Sequence, residues 1–292
     1  MLWRLHIKPR PKDGKTHDDV IKYCMTNNIA GIGWAVDEQP KNLDHYISLA
    51  KAKHKGSPAS IAFAHKPKSG DHIWTRDKNG IYYLGKVTGE WNYQFTEEAH
   101  QLDIPNQIPC AWKKIGNEEH VPGKVIACFR ASRAFQAIPD DDVERFSSWL
   151  YVNNGTDTPL TDKPHIDLGS LFKMIGSHDC EDLVGLYVQF HYDYMLIASS
   201  CKRNDTIAYE YILKHKSNGK TAIAQVKQGY VPLDERLKET ADEVFLFSLS
   251  GNIPTQSDKI KTISPEDLID FCVKHPEILP DKIKNWLKYL SQ

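Results

Sequence analysis

The dipeptide Asn218-Gly219 sits between two apolar stretches in IAYEYILKHKSNGKTAIAQVKQG, residues 207–229. Asn-Gly is the strongest short-range signal for a two-residue hairpin turn, because both central positions of that turn take positive φ. With these two residues as the loop, Ser217 faces Lys220 and the ladder runs on until Glu210 faces Lys227. Gln225, two residues from Lys227, shares its face, since side chains alternate along a strand with period two. The turn therefore predicts that Glu210, Gln225 and Lys227 converge on one face of one hairpin. A slip of a single residue would send Glu210 to the other face.

The rest of the chain frames this hairpin. Its 292 residues are enough for two domains of ordinary size. With 37 basic and 38 acidic residues the net charge is −1, so nucleic acid would have to be held by local patches and not by a global basic field. No stretch reaches the roughly 18 to 20 apolar residues of a membrane span, and MLWRLHIKPRPKDGK lacks the apolar core of a signal peptide, so a cytoplasmic protein is expected. Six scattered cysteines form no CxxC pair and read as buried thiols; Cys180 is the one for which a nucleophilic role stays open.

The first half reads as a small mixed unit rich in short strands. Strands are expected at 2–7, 29–34, 72–76, 81–87, 108–115 and 125–130, with helices at 16–26 and 43–54. A polar stretch over 137–162, containing a short acidic helix, marks the boundary between domains at 1–140 and 141–292. In the second half the spacing predicts helices over 166–174 and through CEDLVGLYVQF, where Leu183, Leu186, Tyr187 and Phe190 recur at helical intervals. Strands YMLIASS, IAYEYILKH and TAIAQVKQ follow, then a helix near 234–241 and the strand EVFLFSLS. Ser264-Pro265-Glu266-Asp267 is a capping-box start, and Ile283, Trp286, Leu287 and Leu290 form the stripe of a last helix.

A carboxylate, an amide oxygen and a lysine on one sheet face suit metal-dependent phosphodiester hydrolysis. Glu210 can ligate Mg²⁺, Gln225 can add an oxygen, and Lys227 can meet developing charge or position water. A second acid is needed, and Glu181 or Asp182, early in the CEDLVGLYVQF helix, can supply it. The ordinary alternative is a solvated cross-strand charge pair. Lys202-Arg203, just before the hairpin, can grip phosphate or form a solvated cluster.

Glu181, then Glu210, then Gln225-Val226-Lys227 on the next strand resembles the PD-(D/E)XK nuclease superfamily, and the QxK variant looks like Mrr-type restriction endonucleases. The resemblance covers about residues 166–253. It implies a restriction-endonuclease-like α/β sandwich with Glu181, Glu210, Gln225 and Lys227 as catalytic residues. Of these, Glu181, Glu210 and Gln225 would hold Mg²⁺, with Mn²⁺ as a substitute. Two departures stand: the strand acid is Glu where Asp is commoner, and Asp182 competes with Glu181 as the helix acid.

The first half is rich in aromatics interleaved with cations, which suits stacking on a base while neighbouring groups hold phosphate. For any single aromatic, a place in the core is the commoner reading. RLHIKPR, IAGIGW and SGDHIWTRDKNGIYYLGKVTGEW together resemble the EVE-like branch of the PUA superfamily, small β-barrels that hold a modified or flipped base. The nucleic-acid contacts expected are Trp34 and Trp74 as pocket walls, Arg76, Tyr83 and Trp91 nearby, Ser132 and Arg133 at the backbone, and Lys202 and Arg203 in the second domain.

The fold class expected is α/β (α+β), an EVE/PUA-like barrel followed by a nuclease-like sandwich. The function it implies is a Mg²⁺-dependent endonuclease, of modification-dependent restriction or phage-defence type, acting on base-modified DNA as a homodimer. Two alternatives stay open: a nuclease for RNA or unmodified DNA, and a nucleic-acid binder with a nuclease-like scaffold that does not cut.

Overall fold

The computed structural model describes the whole chain except residues 8–9, 56–57, 155–163, 165, 202–208, 229–236, 238, 250–256 and 292. Two compact units divide it, Met1–Pro164 and His165–Gln292. Both mix helix and strand. Among the described residues no helix is long and apolar enough to cross a membrane.

The first unit runs β1 (Leu2–Leu5), α1 (His17–Thr26), β2 (Ile29–Ile32), α2 (Leu43–Lys53), α3 (Ala59–His65), β3 (His72–Arg76), β4 (Tyr82–Val87), β5 (Asn92–Tyr93), α4 (Glu97–Gln101), β6 (Asn106–Gly116), α5 (Gly123–Cys128), β7 (Phe135–Ala137) and α6 (Asp141–Asn153). Its sheet, in the order β2-β6-β4-β3-β1-β7 with β5 on β6, curls into a half-barrel. Strand β1 is buried along its whole length. Trp3 and Leu5 enter the core with Val20, Ile32, Phe63 and Ile73. Leu2 and Arg4 take the opposite side by alternation, in register with His72 and Trp74. Helix α6 belongs to this unit and not to the second. Trp74 donates its indole N–H to Ser147 Oγ (3.0 Å) and Tyr151 donates to the Ala111 carbonyl (3.1 Å). The unit boundary accordingly falls after Pro164, where the polar composition of 137–162 had placed it at 140.

Local signals account for most of these elements. Thr16 caps α1 reciprocally with Asp19, and Asn42 caps α2 through its side chain. Asn79-Gly80 joins β3 to β4, with only Gly80 left-handed (φ +78°). One expectation fails: the strand expected at 125–130 is instead the end of α5 and the turn that follows it. Pro122 and Gly123 start the helix, and Val125, Ile126 and Phe129 are buried at intervals that one helical face provides.

The second unit runs β8 (Ile166–Asp167), α7 (Leu171–Met174), α8 (Ser177–His191), β9 (Tyr194–Leu196), β10 (Tyr211–His215), β11 (Thr221–Lys227), β12 (Glu243–Ser248), β13 (Ile260–Ile263), α9 (Pro265–Lys274), α10 (Asp281–Leu287) and β14 (Leu290–Ser291). Its main sheet has the order β13-β12-β11-β10-β9. Strands β9, β10 and β11 pair antiparallel, whereas β11, β12 and β13 are parallel. Half of the helix expected near 234–241 lies outside the described residues; Leu237, within that range, is buried against Ile223, Val244 and Leu246. The capping box at Ser264 and Asp267 forms as expected. Ile166 and Leu290 were both expected in helices, and instead pair in the short sheet β8-β14.

The hairpin keeps its face but changes its register. Tyr211 pairs with Ala224 and Lys214 with Thr221, and His215 N–H reaches the Lys220 carbonyl (2.9 Å). The loop is therefore four residues, 216–219. Gly219 alone is left-handed (φ +73°), so the two-residue turn, which needs positive φ at Asn218 as well, does not form. Instead Lys216 N–H is held by the Asp193 carbonyl (3.0 Å) and Asn218 Oδ1 accepts from Lys220 N–H (2.9 Å). The ladder moves by two residues, an even shift, so no side chain of the paired residues changes face.

Candidate functional site

Glu210 stands at the last turn of the chain before β10. Its N–H donates to the Ala224 carbonyl (2.9 Å), the residue that already pairs with Tyr211. Two consecutive residues thus oppose one, the arrangement of a β-bulge, which re-aims a side chain at the end of a strand. Glu210 Oε1 lies 3.1 Å from Lys227 Nζ, with 23% and 26% of the two side chains exposed. The pairing expected from the hairpin is therefore present, although the register that predicted it is not.

On its other side Glu210 lines a cleft of about 970 Å³ with Glu181, Asp182, His178, Tyr209 and Ser199. The helix α8 carries the first pair of acids, and Tyr211 fixes their distance from the strand. Tyr211 is buried, and its hydroxyl donates to the Glu181 carbonyl (3.1 Å). Gly185 makes the approach possible, because a Cβ there would lie 3.3 Å from the Tyr211 hydroxyl. Glu181 Oε2 meets His178 Nδ1 at 3.2 Å. Desolvation raises the Asp182 carboxyl above its ordinary range and the neighbouring Asp179 adds to this, while His178 and Lys282 oppose it. Both candidates for the helix acid thus face the cleft.

Gln225 is placed differently. It is 3% exposed, shares the β11 face of Ile223, and is not among the residues lining the cleft. Lys227 reaches the site only through Glu210. Among the described residues no group of three or more His, Cys, Asp or Glu side chains could hold a metal ion. Mg²⁺ asks less: it keeps several waters and binds through one or two carboxylates. Glu210 with Glu181 or Asp182 fits that demand. The raised Asp182, with no cation in ion-pair distance among the described residues, is the group whose charged form a cation would favour. Cys180 is fully buried and burial pushes its thiol far up, so it is a core residue and not a nucleophile. Lys202 and Arg203 lie outside the described residues.

In the first unit a cavity of about 520 Å³ is lined by Trp34, Ser132, Asp103, Arg10, His54 and Gly33, among others. Trp34 has φ +66°, a left-handed backbone that a bulky residue rarely takes. The Gly33 carbonyl accepts from Asn106 Nδ2 (2.7 Å) and the Trp34 carbonyl from the Tyr46 hydroxyl (3.3 Å), which hold the turn. Trp74 does not reach this cavity: it is fully buried and has no surface to stack on a base. Tyr83 and Trp91 are half-buried, with polar atoms turned to Asp77 (3.4 Å) and Asn106 (3.1 Å), and neither lines the cavity. Arg76 lines a separate cleft, and Arg133 is exposed.

Sequence reasoning missed Tyr211 and Asp103. Asp103 accepts from Arg10 N–H (2.9 Å), and burial raises its carboxyl above the ordinary range. It is also left-handed (φ +54°), as Asp tolerates. Neither residue belongs to a local pattern; each gains its place from a contact made across the fold.

A family described as "Domain of unknown function (DUF8426)" matches residues 7–137. The match falls within the first unit, begins just after β1 and runs to the end of β7. No curated protein matches the sequence.

Proposed function

We propose that the second unit hydrolyses DNA phosphodiester bonds with a divalent cation, and that the first unit receives a base taken out of the stack. The observation that carries the first part is the position of Glu210, which shares a cleft with Glu181 and Asp182 and pairs with Lys227 at 3.1 Å. In this reading Glu210 and one helix acid hold Mg²⁺ or Mn²⁺. The cation would polarise the phosphate and acidify a bound water. Lys227, beside Glu210, orients the attacking water or offsets charge that grows on the phosphate. Gln225 falls outside this ligand set.

The cavity at Trp34, Ser132 and Asp103 supports the second part: an aromatic wall and a half-buried acceptor suit a flipped base, whose unstacking costs a few kcal/mol that such contacts offset. Joined, the two activities make a modification-dependent endonuclease of restriction or defence type, working in the cytoplasm. A second reading, binding without cleavage, draws on the same ion pair, because the Lys227 ammonium occupies the carboxylate that a cation would need.

Plasmid cleavage in Mg²⁺ separates these readings, using unmodified DNA, 5-methylcytosine DNA and 5-hydroxymethylcytosine DNA, with Lys227→Ala as control. Cutting of modified DNA alone, lowered by about 100-fold or more in the variant, is expected. Cutting that survives Lys227→Ala removes the site assignment. Binding of duplex in EDTA with no cutting in any metal favours the second reading.

A further inference from the structure

Arg4 is a charged residue in an apolar place. It lies in the middle of β1, 0% exposed, on the side of the sheet that Trp74 and Phe129 cover. One Nη1–H donates to the Arg133 carbonyl, and the guanidinium lies 5.6 Å from the Phe129 ring centroid. Its Nε and Nη2 are enclosed and have no hydrogen-bond partner. A buried charge with unmade hydrogen bonds is costly unless something pairs with it. Among the described residues no carboxylate does so. Burial depresses the Arg4 pKa; Cys128 opposes the shift, and Arg133 and Arg76 increase it.

Arg76 shares the same ring. Its guanidinium lies 5.2 Å from the Phe129 centroid, and Nη1 reaches the Tyr82 hydroxyl (3.3 Å). That hydroxyl lies 3.3 Å from Glu118 Oε1, so the acid is one link removed. Arg76 also lines a cleft of about 680 Å³ with His6, Lys15, His17 and Lys78. The acid in its lining, Asp77, is committed to the hairpin turn, where Oδ1 accepts from Asn79 and Ile81 N–H (both 2.9 Å).

We propose that Arg4 and Arg76 form an anion site of the first unit for a phosphate-bearing ligand. Arg76 contacts the phosphate from the cleft wall, and Arg4 behind it supplies a positive charge that solvent does not screen. The guanidinium fork matches phosphate geometry, and two guanidinium cations with no acid in ion-pair distance among the described residues suit a dianion better than a carboxylate. The phosphate is the counter-charge that the chain withholds from Arg4. That it belongs to a nucleic acid rests on the function proposed for the first unit; the site itself does not.

Binding to the full chain would be measured by calorimetry with orthophosphate, deoxycytidine monophosphate, deoxycytidine and a short single-stranded oligonucleotide, alongside the melting temperature. The monophosphate should bind at least about tenfold more tightly than the nucleoside, and Arg4→Met and Arg76→Gln should each weaken it about tenfold. Arg4→Met should leave the ligand-free melting temperature unchanged or raise it, since it removes an unpaired buried charge. Equal binding of nucleotide and nucleoside overturns the site. So does an Arg4→Met protein that melts lower yet binds the monophosphate as before, because Arg4 then merely tethers the Arg133 segment. If Arg4→Met does not fold, Arg76→Gln, whose side chain is part-exposed, decides alone: unchanged phosphate affinity overturns the site. Competition by the oligonucleotide, weakened in both variants, identifies the source as nucleic acid. Monophosphate binding without such competition keeps the site and removes the nucleic-acid reading; oligonucleotide binding indifferent to both variants does the reverse.

Discussion

At the scale of single residues, the site depends on how Glu210 is held. Tyr211, its neighbour, anchors the strand to α8 through the Glu181 carbonyl. Tyr211→Phe removes the hydrogen bond that ties β10 to that carbonyl and should cost about 1 kcal/mol, read as a fall of a few degrees in melting temperature. Cleavage should fall with it, because the distance between strand acid and helix acid is no longer fixed. The choice between helix acids can be made the same way. If Asp182 is the ligand, Asp182→Asn abolishes Mg²⁺-dependent cutting and Glu181→Gln does not; the opposite result assigns Glu181. By contrast, loss of the part-exposed Glu210–Lys227 pair should change stability by no more than about 1 kcal/mol. Lys227→Ala is therefore expected to separate activity from folding. Of these residues Glu210 and Lys227 were legible from the turn signal and alternation together, whereas Tyr211 reads in the sequence as one more apolar strand position.

At the scale of elements, turns and faces behave differently. The hairpin's face was predictable because period-two alternation survives any even shift. Its register was not, because Asn-Gly permits the two-residue turn without enforcing it, and the Asp193 carbonyl on a neighbouring strand end selects a longer loop. Gly219→Ala puts a Cβ at φ +73° and should destabilise the second unit by about 1–2 kcal/mol, measured by thermal unfolding. In the first unit, His72 on β3 lies under α6, near Ser148 (3.4 Å), with its pKa lowered to about 4, chiefly by burial. The unfolded chain takes up that proton near pH 6.5 and the folded chain does not. The stability His72 confers is thus complete above pH 6.5 and is lost as pH falls toward 4, by about 3 kcal/mol. Replacing His72 by Asn should flatten the unfolding free energy over that window, which denaturant titrations at several pH values would reveal.

At the scale of the whole molecule, two units with separate cores imply two unfolding events. Residues 1–164 and 165–292, made separately, should each fold, and calorimetry of the full chain should resolve into their two transitions. A fragment ending at 140 should be unstable, because it lacks α6 and the Ser147 partner of Trp74. Double-strand cleavage, if the function proposed here holds, needs two copies of the site; light scattering of the chain with DNA should then report a dimer.

Sequence by itself determined what depends on neighbours along the chain. Capping at Thr16 and Ser264, the strands 72–76 and 221–227, the helix bearing Glu181 and Asp182, and the side of the hairpin on which Glu210 and Lys227 lie all follow from propensity and period. Tertiary structure decided what depends on contacts across the fold. It assigned α6 to the first unit, turned 125–130 into the end of α5 and the turn after it by burying Phe129, paired Ile166 with Leu290, and withdrew Gln225 and Trp74 into the interior. It also enclosed Arg4 with no acid beside it among the described residues. Hydrophobic burial is non-directional, so a sequence shows which side chains are apolar but not which of them will meet.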